Sequence, residues 1–235
     1  MRSSRWQAQG NVYLVVEESL TAALVRAEVG DADGVLEVRD RGEDWLEIAI
    51  WNPDGSLAEM SGNGTRIAAS WLAEQTGATD VTVRVGSRRV PARMLGDGLV
   101  EQVLEPVTVG ETEELEGIRF TPVDVGNPHA VVEGDPAELD RIGPLLETHP
   151  RFPNRTNVQV ARRTFDPSVI EARVWERGVG ETRASGTSAI AVVAALGLGE
   201  ATVRFPGGTL HVRLEGRRAR LTGPAARADM HAPLS

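Results

Sequence analysis

The strongest constraint on this chain is an internal repeat. Two serine-glycine turns, Ser61-Gly62-Asn63-Gly64-Thr65 and Ser185-Gly186-Thr187-Ser188, lie 124 residues apart, and each opens a helical stretch, at 64–74 and 187–196. After each helix comes a similar hairpin: 81–85 with 90–94 in the first half, and 201–205 with 210–214 in the second. Another strand and a proline follow both, at Glu105-Pro106 and Gly223-Pro224. The second helix is apolar on every side from 189 to 196, so strands must enclose it. Two halves of one plan are therefore expected, each a β-sheet wrapped about one helix. Short β-type runs at 12–17, 45–50, 81–85, 170–175, 202–205 and 210–214 fit that plan, several of them alternating apolar and polar residues as half-buried strands do. The segments 111–116 and 133–153 read as connections, the latter with a short helix near 137–147.

Composition removes several kinds of chemistry. All 25 cations are arginine, and without lysine the Schiff base that holds pyridoxal phosphate cannot form. With no cysteine there is no thiolate nucleophile, thiol base, disulfide or thiolate metal ligand. The 4 histidines, His129, His149, His211 and His231, have no zinc-like spacing. Pyridoxal phosphate and a catalytic zinc site are therefore not expected. A net charge of −9 disfavours nucleic acid. The doublets Arg88-Arg89, Arg162-Arg163 and Arg217-Arg218 read as solvated strand ends or ion-pair partners. No apolar run approaches the roughly 18 residues of a membrane span. The basic start Met1-Arg2-Ser3-Ser4-Arg5 lacks the apolar stretch of a secretory signal, so the cytoplasm is the expected compartment.

A helix start built from small residues exposes backbone N–H groups and about half a positive charge, which together attract an anion. Two such starts facing each other across a cleft would hold a carboxylate firmly. Taken singly, Ser61 and Ser185 read as ordinary helix caps, Asn52 and Asn127 as turn residues, and Glu176 with Arg177 as an ion pair.

The surroundings of the turns are more specific. The segment Asn52-Pro53-Asp54-Gly55-Ser56-Leu57-Ala58-Glu59-Met60-Ser61-Gly62-Asn63-Gly64-Thr65-Arg66 resembles the first signature of diaminopimelate epimerases, with Ser61 where the family has cysteine. Glu176-Arg177-Gly178-Val179-Gly180-Glu181-Thr182-Arg183-Ala184-Ser185-Gly186-Thr187 resembles the second, again with serine for cysteine. Lesser matches include Gln9-Gly10-Asn11, Asp33-Gly34-Val35, Gly126-Asn127-Pro128-His129 and Asn154-Arg155-Thr156-Asn157-Val158. The resemblance implies an α+β fold of two pseudo-symmetric lobes, each a mainly antiparallel sheet or barrel around a central helix. The expected division is 1–110 and 111–235, with the chain crossing back between lobes near its C-terminus. It also implies a cofactor-free, two-base epimerisation at the α-carbon of an amino acid, a free amino acid as the binding partner, and a homodimer. Carried over position by position, Asn11, Asn52, Asn63, Asn127, Asn157, Glu176 and Arg177 hold the substrate. Gly62, Gly186 and Thr187 supply turn donors near its carboxylate. Ser61 and Ser185 stand at the base positions, assisted by His129 and Glu176. Val12 departs from the usual aspartate, and the region around Gly30-Asp31-Ala32-Asp33-Gly34 is shortened, which leaves the distal end of the substrate open.

Serine changes the chemistry expected at these positions. If its hydroxyl lies some five pH units above a thiol, forming the alkoxide costs about 6–7 kcal/mol more. That is a rate penalty on the order of ten-thousandfold, and a helix N-terminus offsets only about 0.3–2 kcal/mol. Three outcomes stay open on sequence alone: a slow epimerase, a related isomerase or dehydratase needing one base, and an amino-acid-binding protein without catalysis.

Overall fold

A strand that is apolar at successive positions needs cover on both faces, and the chain meets that need twice. In the computed structural model, which describes residues 3–228, it forms two units: 3–102 with 223–228, and 103–222. His231 lies outside the described residues.

The first unit runs β1 (Ser3–Ala8), β2 (Asn11–Val16), α1 (Ala22–Glu28), β3 (Gly34–Arg41), β4 (Trp45–Trp51), β5 (Leu57–Ala58), α2 (Gly62–Thr76), β6 (Asp80–Val85), β7 (Arg88–Gly96) and β8 (Leu99–Leu104), whose last two residues belong to the second unit. β1 and β2 pair antiparallel with Trp6 opposite Tyr13, and β2 and β3 pair parallel with Tyr13 opposite Gly34. β3–β4 is antiparallel and β4–β6 parallel, then β6–β7 and β7–β8 are antiparallel. The terminal strand Ala226–Arg227 returns to β1, with Arg227 opposite Trp6. The period-two rule sorts β2 cleanly: Tyr13 and Val15 join the cluster around Ile67 and Leu72 of α2, while Leu14 and Val16 join Val25 of α1 on the other face. α2 stops at Gly77, whose φ of 77° is the left-handed conformation glycine adopts without strain.

The second unit repeats this order. It contains β9 (Thr108–Val109), β10 (Glu113–Leu115), β11 (Ile118–Asp124), β12 (Pro128–Glu133), α3 (Leu139–Glu147), β13 (Asn157–Arg163), β14 (Val169–Glu176), β15 (Gly180–Thr182), α4 (Gly186–Ala195), β16 (Glu200–Phe205), β17 (Gly208–Glu215) and β18 (Arg218–Pro224). From β11 to β18 the pairings again run antiparallel, parallel, antiparallel, parallel, antiparallel, antiparallel. α3 covers the outer face of β11–β13 through Leu139, Ile142 and Leu146, as α1 covers β2–β4. α4 is buried from Gly186 to Ala194 among Val174, Val203, Leu210, Val212 and Leu221. The α+β class and the sheet around a central helix are thus present in each unit.

The expected strands all form, most of them a residue or two longer, and both central helices begin at the glycine directly after their serine. The 111–116 segment, read as a connection, instead contains β10, because Leu115 packs with Ile118 and Phe120 against α3. The helix near 137–147 is preceded by a 3-10 turn, Pro136–Glu138, that Asp135 caps. α1 carried no readable signal beyond its Thr21 cap, since seven residues are too few to display a helical period. No helix among the described residues is long and apolar enough to cross a membrane.

Because α4 has no exposed face, its side chains tolerate little change. Ile190→Ala, at 0% exposure, is expected to cost about 2–5 kcal/mol. Urea unfolding measures this, and a loss below about 0.5 kcal/mol would contradict the enclosed position of the helix.

Candidate functional site

In the first unit, Ser61 sits in extended conformation and caps α2, its Oγ accepting the Gly64 N–H at 3.0 Å. A Cβ on Gly64 would lie 3.1 Å from Leu36 Cδ2 and 3.2 Å from Ser61 Cβ, so the tight turn favours glycine there. The Gly62 carbonyl is tied inward by three donors: Thr65 Oγ1 at 3.2 Å, Gln102 Nε2 at 3.1 Å and Arg66 Nη1 at 3.3 Å. Gln102 Oε1, 3.1 Å from Thr65 Oγ1, is an alternative acceptor for the same hydroxyl proton. Asn63 is bracketed between Arg66 Nη2, which donates to its Oδ1 at 2.6 Å, and Asn11, whose Oδ1 accepts from its Nδ2 at 3.3 Å. The hydroxyls of Tyr13 and Ser61 are 3.1 Å apart. Asn52 lies in a separate turn, its Nδ2 donating to Ser56 Oγ at 2.9 Å.

Arg66 is wholly buried and meets neutral acceptors, and its Nε has no hydrogen-bond partner. Burial alone pushes its pKa down to about 9, which still leaves it a cation at neutral pH. A positive charge therefore sits directly beneath the Ser61 turn.

In the second unit, Ser185 adopts nearly the same backbone conformation and precedes α4, but its side chain makes no cap hydrogen bond. Thr187 Oγ1 accepts from Asn127 Nδ2 at 3.5 Å. Asn127 Oδ1 lies 2.9 Å from His129 Nε2, and Gln159 Nε2 lies 3.0 Å from both His129 Nδ1 and Ser188 Oγ. An amide nitrogen donates and an amide oxygen accepts, so His129 carries its proton on Nε2 and accepts at Nδ1. Asn157 Nδ2 donates to Pro128 O at 2.8 Å, and its Oδ1 receives the Arg177 N–H at 3.1 Å. Glu176 Oε1 accepts from Thr182 Oγ1, while buried Glu147 gathers the Trp175 indole N–H and the Gly178 N–H.

The two halves correspond residue by residue. Asn11 opens β2 and Asn127 directly precedes β12, Ser61 and Ser185 precede equivalent helices, and Asn63 and Thr187 each bond the asparagine of their own half. Two residues beyond each asparagine, Tyr13 and His129 occupy equivalent strand positions. Of the residues expected at a site, the structure gathers Asn11, Ser61, Gly62 and Asn63 in one unit. In the other it gathers Asn127, His129, Gly186 and Thr187, with Asn157 linked to Arg177. The expected His129–Glu176 pair is not a hydrogen-bonded one: His129 bonds Asn127 and Gln159, and Glu176 bonds Thr182. The sequence reading missed Tyr13, Arg66, Gln102, Glu147 and Gln159. Tyr13 and Gln159 had a usable signal, since each lies two residues beyond a selected asparagine on one strand face.

Burial pushes the His129 pKa down to about 3, Arg177 adding to the effect and the Gln159 hydrogen bond opposing it. The ring is therefore a neutral bracket at pH 7. Between about 3 and 6.5 the unfolded chain binds a proton that the folded chain refuses, so this residue makes stability fall as pH drops below 6.5. Its share of the loss at pH 5 is about 2 kcal/mol. Urea unfolding of wild type and His129→Gln at pH 7.5 and 5 is expected to reveal a steeper loss in wild type, and parallel profiles would contradict a buried neutral ring.

The profile of the family described as diaminopimelate epimerase matches residues 8–103 and 121–227. A diaminopimelate epimerase of Synechococcus sp. (strain JA-2-3B'a(2-13)) is 37% identical over 263 residues, spanning 94% of this chain and 89% of that protein. The diaminopimelate epimerase of Pelotomaculum thermopropionicum is 35% identical over 226 residues, spanning 83% and 80%. Among solved structures, a phenazine biosynthesis protein of Bacillus anthracis superposes with a TM-score of 0.73 at 12% identity, over 97% of this chain and 96% of that one. A hydroxyproline epimerase of Agrobacterium vitis gives 0.71 at 17% identity, over 96% and 88%. These structural likenesses speak to the fold alone.

Proposed function

The chain belongs to the diaminopimelate epimerase family, and on that premise we propose that it is a cofactor-independent isomerase that inverts the α-carbon of diaminopimelate, with Ser61 and Ser185 at the two proton-transfer positions. The observation that carries this reading is the matched pair of serine helix starts, each backed by its own asparagine bracket. One serine, as its alkoxide, takes the α-proton and becomes the neutral hydroxyl, while the bonding electrons stay on carbon. The hydroxyl of the other serine gives its proton to the opposite face of the carbanion and becomes the alkoxide. Backbone N–H groups at the turns steady the carboxylate on which the carbanion charge spreads. Asn11, Asn63, Asn127 and Thr187 are held ready to bind the amino acid, and Asn52, Asn157, Glu176 and Arg177 complete its polar contacts.

Hydroxyl bases make this a slow enzyme, for the reason of acidity given above. In deuterated water, LL-diaminopimelate is expected to gain α-deuterium above a heat-killed control. The Ser61→Cys, Ser185→Cys double variant should exchange about a thousandfold faster or more. Absence of exchange in both proteins would sink the isomerase reading, and calorimetric binding without exchange would identify an amino-acid-binding protein. A one-base reaction is a second reading, favoured by one asymmetry: Ser61 Oγ is engaged by Gly64 and Tyr13, whereas Ser185 has no cap bond. Its signature is α-deuterium appearing in recovered LL-diaminopimelate with retention of configuration and no inverted product.

A further inference from the structure

We infer that Tyr13 and Ser61 form a proton-sharing pair, through which the phenol turns the Ser61 hydroxyl into a workable proton carrier. The pair itself stands on geometry; its catalytic use rests on the isomerase reading. Their hydroxyl oxygens are 3.1 Å apart, and Tyr13 is only 8% exposed. Neither partner has much room to leave. Ser61 Oγ is fixed by the Gly64 N–H. The Tyr13 ring lies over Gly34, where an added Cβ would come within 2.7 Å of both the ring Cε1 and the Trp51 carbonyl oxygen. The repeat makes the same point independently. Each half has a titratable ring two residues beyond its asparagine; His129 spends both nitrogens on Asn127 and Gln159, whereas Tyr13 reaches its serine.

A phenol ordinarily ionises near 10, about 1.5 units above a thiol and far below an aliphatic hydroxyl. Arg66, buried on α2 beneath the turn, favours a negative charge there. Arg5 and Glu37 oppose Leu14 and Val16, on the other sheet face. Asp33 accepts the Val12 N–H, and Glu59 is exposed. In the step that follows, a Tyr13 phenolate accepts the Ser61 hydroxyl proton as Ser61 Oγ accepts the α-proton. One O–H and one C–H bond break, two O–H bonds form, and the negative charge passes from phenolate to the α-carbon. Tyr13 acts through Ser61 and is a positioning residue.

Tyr13 is the chain's 1 tyrosine, so ultraviolet tyrosinate absorbance reads its ionisation alone. Removing the hydroxyl that donates to the phenolate, in Ser61→Ala, is expected to raise the midpoint by about 1 pH unit, and Ser61→Thr to keep it near wild type. Equal midpoints in the three proteins would overturn the pair, whatever their activity. In α-deuterium exchange, Tyr13→Phe should be about 100-fold slower and lose the alkaline rise of the wild-type profile. In a Ser61→Cys background the same change should matter less than about threefold, since a thiol needs no such partner. Tyr13→Phe matching wild type at every pH would also overturn the inference. A coupled titration without any exchange supports the pair and removes the isomerase reading instead.

Discussion

Each unit is organised by a helix whose first turns have no solvent to face. α4 is buried from Gly186 to Ala194, and α2 from Gly62 to Ala69. A buried helix start leaves N–H groups that must find partners and a partial positive charge that must be tolerated. Small residues at the turn let strands close around it, and the asparagine and glutamine brackets orient the polar groups that result. In the first unit the same place also holds the Arg66 guanidinium, fully buried with only neutral hydrogen-bond partners. Local consistency would favour an apolar residue there. Retaining a cation beneath a serine turn is the kind of departure that marks a functional place.

Repetition of one topology with different side chains gives the two halves different chemistry. At the equivalent ring positions stand Tyr13 and His129, at the equivalent bracket positions Asn63 and Thr187. His129 is neutral at pH 7 and committed at both nitrogens, donating to Asn127 and accepting from Gln159. Ser61 is engaged on two sides, and Ser185 makes no cap bond. The two serines therefore differ in side-chain bonding, although their backbones match.

Much of this was legible beforehand because it rests on local rules. The enclosed helix at 189–196 followed from the lack of any polar face, and the hairpins from period-two alternation. The serine turns drew attention because they recur, and Asn11, Asn63 and Asn127 because they sit in motif context. Tertiary packing hid the rest. β10 exists because Leu115 finds α3 and β11, a contact made across the fold. Arg66 read as an ordinary motif residue until its burial became visible, and Tyr13 read as one more strand aromatic until Gly34 and Ser61 were seen around it. The resemblance implied a polar His129–Glu176 pair, and the hydrogen bonds of His129 go to Asn127 and Gln159.

The central claim is that the two serine-glycine turns are where an amino acid binds. Backbone amide chemical shifts followed by NMR during titration with diaminopimelate test it most directly. The largest perturbations are expected at the N–H groups of Gly62, Asn63, Gly64, Gly186, Thr187 and Ser188, with the Asn11 and Asn127 side-chain amides moving alongside them. Saturable shifts confined to residues remote from both turns would contradict the claim.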